Sequence, residues 1–416
     1  VSEIYKLREQ IRIQPSEYNG QKIYILACDL GLSEPLGLTA QCLPLLAILE
    51  RGCSHFELSE TIKTRNLEMS IGQELLDLLE SKGYLWSDTY RQAKSRLEEE
   101  FKNSDIRLSS HAGAVYPSEP EALKRFIDEI LLLAPVSTKD KDLISLVAPH
   151  IDYQRGAKSY AYAYRHLAEF KPDVCILMGT SHKGGESLFQ LSKKDFANPL
   201  ATLQNDQDFT EEILAEYGHK RGLQDEFLHK AEHSLDLQLP FISYFCPNTK
   251  IVPILVNSFY RFMKDFSVLR EHQEYKSFVS VLAKAINSRQ QNGQKVLIIA
   301  AVDMAHLGKD FGDSFDIKEE ITAECSLEDK EYLQALLSLS SQQMSDHIVK
   351  DYDQRRICGF SSLHTIIDVL SAIDDSYSVN IDSYEQAVNN EASCLVSFAA
   401  GTITREFKCL ESKKNI

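Results

Sequence analysis

Residues 143–156, "LISLVAPHIDYQRG", decide the fold. The opening six are apolar or small with no polar alternation, which is how a strand covered on both faces reads. Pro149 stops the run and His150 follows at once, ahead of Asp152, Tyr153 and Gly156. The next stretch, "AKSYAYAYRHLAEF" (157–170), takes on helical periodicity. Buried strand, polar tip and covering helix make one unit of an α/β layer. The apolar run returns at "VCILMGT" (174–180), "IVPILV" (251–256), "VLIIAAV" (296–302) and "SCLVSFAAG" (393–401), the first three again followed by helical stretches. The pattern predicts an α/β domain over 106–408, with a mainly parallel or mixed sheet flanked by helices.

In open α/β sheets, ligands bind outside the carboxyl ends of the strands. Three runs place an imidazole just past that end: His150, His182 in "SHKGG" (181–185), and His306 in "DMAHLG" (303–308), where Asp303 adds a carboxylate. One such histidine is an ordinary loop or core residue; three at equivalent positions mark a site. "AEHSLDLQLPF" (231–241) adds Glu232 and His233, which either face the site or cap a helical turn. In "RRICGF" (355–360), Cys358 precedes a helix-like stretch, where the helix dipole and Arg355 or Arg356 would stabilise a thiolate. The plain alternative is a small buried hydrophobe. Mixed His, Cys and carboxylate donors suit iron, copper or zinc. The nine cysteines include no CxxC pair, so a closed structural zinc site and a disulfide framework are both disfavoured.

The remaining quarter of the chain reads differently. "QIRIQPSEYNGQKIYILAC" (10–28) predicts two strands around an Asn19-Gly20 turn. "LTAQCLPLLAILERG", "SHFELSETIKT" and "SIGQELLDLLESKGYLW" follow as helices, and residues 87–105 as a charged helix or linker. Residues 1–100 are therefore expected to form a small winged-helix-like docking or peptide-binding domain. They carry 11 Lys and Arg against 16 Asp and Glu, a net of −5, and the whole chain carries −16. Such charge argues against a nucleic-acid or anionic-membrane partner. No apolar run reaches membrane-spanning length, and a cytoplasmic protein is expected.

The second domain resembles the Memo family, whose bacterial members are called AmmeMemoRadiSam system protein B. The resemblance rests on "SHAGAVY" (110–116), "APHIDYQRG", "MGTSHKGG", "AEHSLDLQLPF", "VPILV", "AVDMAHLG", "ICGF" and "SFAAGTIT", in the family's order over about 106–405. It implies a relative of the class III extradiol dioxygenases, with His150, His182 and Cys358 as metal ligands. Fe(II) is the first expectation, copper the second and zinc the third. Asp303 and His306 match the family's acid–base pair, with Asp303 as the orienter of His306. Glu232 and His233 join them as catalytic candidates, and Tyr153, Asp152 and Ser181 as substrate contacts. Two departures stand out: Asp152 where a glycine is usual, and Val115 where animal relatives carry tryptophan.

Three functions are therefore open. The first is a metal-dependent oxidoreductase, which the resemblance places in a modification system with a radical-SAM protein and an AMMECR1-type protein. The second is a pocket that binds a peptide or small molecule for a partner without catalysis. The third is a Cys358 nucleophile with His150 or His306 as base.

Overall fold

A computed structural model of the chain describes residues 4–8, 11–28, 30–135, 142–373, 376–389, 391 and 393–406. The chain divides into two compact units, Val1–Ser104 and Asp105–Ile416.

The second unit is built on one mixed sheet. Its strands are β1 (Leu143–Ala148), β2 (Val174–Thr180), β3 (Phe189–Leu191), β4 (Lys250–Val256), β5 (Val296–Ala301), β6 (His306–Gly308), β7 (Tyr377–Asn389) and β8 (Cys394–Arg405). They lie in the order β6–β8–β1–β5–β2–β4–β3, with β7 paired along β8. The strands β1, β5, β2 and β4 are mutually parallel, and β3, β6, β7 and β8 join antiparallel.

The uninterrupted apolar runs have their cause in the two faces of this sheet. Along β2, Val174, Ile176 and Met178 enter one core while Cys175 and Leu177 enter the other. In β5, Val296, Ile298 and Ala300 alternate in the same way with Leu297 and Ile299. Both faces exclude water, so neither set can be polar. The helix Gln273–Gln291 covers the first face through Phe278, Val281 and Leu282, and Tyr153–Tyr164 covers the second through Tyr160 and Tyr164.

The parallel arrangement sends β1, β5 and β2 out at one edge, side by side. Their exits carry Pro149-His150, Val302-Asp303 and Ser181-His182. Two glycines let other segments approach this edge. A Cβ on Gly359 would meet Val302 Cβ at 2.5 Å and the Asp303 carbonyl oxygen at 2.6 Å, so only glycine brings "ICGF" against the end of β5. A Cβ on Gly179 would meet Ser234 Oγ at 2.5 Å, and its absence seats the turn after Glu232 on β2.

The first unit has its own core of Leu26, Leu45, Leu49, Leu58, Leu76, Leu79 and Tyr84, among others. Ile11–Tyr18 and Gln21–Cys28 form the expected hairpin, with φ of 50° at Asn19 and 75° at Gly20. Both residues take the positive φ that a two-residue hairpin turn demands. A third strand, Leu36–Thr39, extends the sheet, where the sequence pattern shows only a pair. Helices Leu43–Arg51, His55–Thr64, Met69–Ser81 and Asp88–Asn103 follow. Ser54 and Glu57 close a reciprocal cap on the second of these. Among the described residues, no helix is long and apolar enough to cross a membrane.

Candidate metal centre

His150 leaves β1 and is almost fully buried. Its backbone N–H donates to Asp303 Oδ1 at 2.9 Å, and Nδ1 lies 2.9 Å from the Ala301 carbonyl. A carbonyl only accepts, so Nδ1 carries the proton and Nε2 keeps its lone pair. Burial lowers the pKa of His150 to about 3, despite the nearby Asp303 carboxylate, so the ring is neutral. Cys358 Sγ lies 3.3 Å from Nε2, and Asp303 Oδ2 lies 3.6 Å from it.

His182 leaves β2 and is held from below by Glu232. The buried carboxylate takes the His182 backbone N–H at 2.9 Å and Nδ1 at 2.8 Å. The same oxygen that takes Nδ1 lies 3.2 Å from His233 Nδ1 and accepts from the Ser234 N–H at 3.1 Å. Glu232 is thus both helix cap and histidine anchor, joining two roles that the sequence left as alternatives. Burial opposes its charge, but attraction and hydrogen bonding from His182 and His233 hold its pKa well below the usual carboxylate range. For His233, burial works against protonation and is outweighed by the Glu232 carboxylate, so its pKa is raised.

The rings of His150, His182 and His233 converge. Centroids are 4.9 Å apart for His150 and His182, 5.3 Å for His150 and His233, and 4.4 Å for His182 and His233. One ring nitrogen from each lies within 4.8 Å of the other two. With Nδ1 of all three engaged by oxygen acceptors, Nε2 is the donor each ring has left. Anchored imidazoles with their second nitrogens turned inward are how proteins prepare a metal site. The donor set fits a transition metal.

Several expected roles change on inspection. Asp303 orients His150; it does not hold His306, whose Nδ1 meets the carbonyls of Met304 at 3.0 Å and Arg356 at 3.1 Å. Burial lowers the pKa of His306, with Asp303 opposing. Arg355 and Arg356 give Cys358 no thiolate support: Arg355 pairs with Asp329 and Asp351, and Arg356 with Asp313. Burial, then Asp303, push the Cys358 thiol well above its ordinary value. Asp152 caps the helix Tyr153–Tyr164, accepting from Arg155 N–H, and pairs with the Arg155 side chain at 2.6 Å. Tyr153 is a core residue, its hydroxyl donating to the Leu237 carbonyl and its ring packed on Phe241 and Tyr160. Ser181 is buried and donates to the Gly184 carbonyl at 2.6 Å.

A cavity of about 250 Å³ opens between His182 and Cys358. Phe259, Met263, Phe266 and Phe360 give it an apolar wall, and Ser181 and Asp353 add polar groups. A larger groove of about 780 Å³ runs between helices Gln273–Gln291 and Phe360–Ile373 but touches none of the site residues.

One support was not anticipated. Asp236, fully buried, accepts from Arg107, from the His111 backbone N–H at 3.1 Å, from His111 Nδ1 at 2.7 Å and from Ser109 at 3.1 Å. His111 in turn stands edge-on to His233, with centroids 6.2 Å apart. The motif "SHAGAVY" held His111 in view, but a lone aspartate in "HSLDLQL" gave no sign of where it would point.

Fold and site together define an α/β protein with a histidine-rich centre at the carboxyl edge of its parallel strands. The Memo-like protein family model matches residues 107–402, and the chain belongs to the Memo family. It is similar to a MEMO1 family protein of Aquifex aeolicus, 24% identical over 92% of this chain and 96% of that protein. A match of that length takes in much of the first unit as well. An Archaeoglobus fulgidus MEMO1 family protein is 25% identical over 61% of this chain and 82% of its own, and one from Saccharolobus islandicus 30% over 48% and 69%. A crystal structure of an uncharacterized Escherichia coli K12 protein aligns at a TM-score of 0.35 and 12% identity, over 62% of this chain and 99% of that one, too slight a likeness to carry an inference.

Proposed function

We propose that this chain is a metal-dependent oxidoreductase, with Fe(II), or else copper, held by His150, His182 and Cys358. The observation that carries the reading is the convergence of anchored histidines within 4.8 Å, beside a thiol 3.3 Å from His150 Nε2. Nitrogen and sulfur donors together favour iron or copper over magnesium or calcium. A redox-active ion held there supplies one-electron chemistry that no side chain of the site provides.

The residues around the centre have separable tasks in this reading. Asp303 and the Ala301 carbonyl fix the tautomer and direction of His150. Glu232 does the same for His182. His306, tied at Nδ1 by two carbonyls, keeps Nε2 as the atom that takes or returns a proton. The apolar wall of Phe259, Phe266 and Phe360 excludes water from a substrate between His182 and Cys358. The acidic first unit would dock a partner, and a radical-SAM protein or AMMECR1-type protein is the proposed one.

Metal content by mass spectrometry after anaerobic purification tests the proposal. Near-stoichiometric iron or copper, lost in both His150→Ala and Cys358→Ala, is expected. A chain that arrives empty and refuses added Fe(II) and Cu(I) would overturn it.

A further inference from the structure

The centre contains one more imidazole than the ligand set argued above uses. His182 and His233 present Nδ1 to the same Glu232 oxygen, at 2.8 and 3.2 Å. Their rings stack at 27°, so both Nε2 atoms face away from that carboxylate. His150 meets the pair nearly at right angles, 79° to one ring and 82° to the other. It comes from a separate strand and is anchored on a separate acceptor, the Ala301 carbonyl. Three rings on two anchors thus turn inward, and one nitrogen of each lies within 4.8 Å of the others.

The bland account makes His233 a cation paired with Glu232 at the solvent edge, its side chain being 38% exposed. That account explains the 3.2 Å contact. It leaves unexplained why the ring lies flat on His182, or why its nitrogen closes a mutual group with those of His150 and His182. Glu232 is moreover already engaged by the His182 ring, the His182 backbone and Ser234.

We propose that His233 is itself a metal ligand, making the centre a three-histidine site for a borderline divalent cation, with Cys358 as a further, softer donor beside His150. This rests on the reading that the centre binds metal. Imidazole suits Fe, Cu, Zn and Ni alike, so the three-nitrogen face sets affinity, and the thiol, once deprotonated by the ion, biases the site toward softer ions. Nothing in the assignment depends on turnover.

Co(II) titration of the full chain tests it, reading the dissociation constant, the visible d–d spectrum and the thiolate-to-cobalt absorption. His233→Ala is expected to weaken Co(II) binding by more than about 100-fold, beyond the roughly 10–100-fold typical of losing an outer hydrogen-bond partner. Its d–d spectrum should change, and added imidazole should restore the wild-type spectrum by filling the vacated place. Rescue by imidazole also shows that the variant is folded. Cys358→Ser should bind Co(II) more weakly than the wild-type chain and, at excess Co(II), lose the thiolate absorption while keeping imidazole-dominated d–d bands. If His233→Ala binds Co(II) with wild-type affinity and spectrum while His150→Ala does not, His233 is no ligand and the metal reading survives. A loss under 100-fold with an unchanged spectrum likewise overturns the assignment, leaving His233 an outer support. Wild-type chain that binds neither Co(II), Zn(II) nor Fe(II) overturns both.

Discussion

Glu232 concentrates in one side chain what the centre needs from its surroundings, since it fixes two rings and caps the turn that carries one of them. Glu232→Gln keeps the shape but removes the charge, and its amide has one acceptor to place either before the two rings or before the His182 backbone N–H, where the carboxylate serves both. Metal affinity is expected to fall about 10–100-fold with the fold retained, checked by Co(II) titration beside far-UV circular dichroism. An unchanged affinity would show that the carboxylate is a cap alone. Asp353, beside the cavity, makes a pH-dependent case. Burial raises its pKa, the Ile357 N–H opposes this, and the result is about 6. A carboxyl with a folded pKa above its unfolded value stabilises the fold at low pH, and that contribution is lost as pH rises through about 6. Asp353→Asn should therefore be the more stable chain at about pH 8, by roughly 2 kcal/mol, with the gap closing toward about pH 4. Denaturant unfolding at both pH values checks it, and a pH-independent gap would contradict it. At this scale strand ends and a motif bring His150, His182, His306 and Cys358 into view as candidates in the sequence, and the fold gathers His150 and His182 with His233 and sets Cys358 beside His150. It misjudged Tyr153 and Asp152 because proximity along the chain says nothing about which way a side chain turns.

Between elements, the decisive contacts are backbone approaches that only glycine allows. Gly359 lets the segment bearing Cys358 lie on the exit of β5, with its N–H donating to the Asp303 carbonyl at 3.1 Å. Gly359→Ala would press Cβ onto Val302 Cβ and that carbonyl, and a Cβ and a backbone carbonyl cannot move aside as a flexible side-chain end would. A cost of about 1–3 kcal/mol is expected, together with displacement of Cys358 from His150. Denaturant unfolding reads the first effect. Weaker thiolate-to-cobalt absorption reads the second, and full retention of both stability and absorption would refute the packing argument. The parallel strands were readable because burial on both faces leaves an unbroken apolar run. The hairpin partner β7 was not: it is half-buried along its length and carries polar residues throughout. Arg107 was equally hidden, since a lone arginine reads as surface until its buried partner Asp236 is known.

For the molecule as a whole, each unit closes a core from its own residues, Leu7 to Leu85 in the first and Tyr116 to Ile403 in the second. The proposed metal donors all belong to the second. The single tryptophan, Trp86, belongs to the first, packed edge-on to Tyr90 with ring centroids 5.1 Å apart. Tryptophan fluorescence therefore reports the unfolding of the first unit, while far-UV circular dichroism sums over both. A ligand that binds only the folded form stabilises it by about 2.7 kcal/mol when present at about 100 times its dissociation constant. Saturating Co(II) is accordingly expected to shift the dichroism transition to higher denaturant while leaving the Trp86 transition in place. That result would assign the centre to one unit and show that the two cores melt separately. If Co(II) moved both transitions together, folding of the acidic first unit would be coupled to the centre, and metal occupancy would then bear on the docking proposed for that unit.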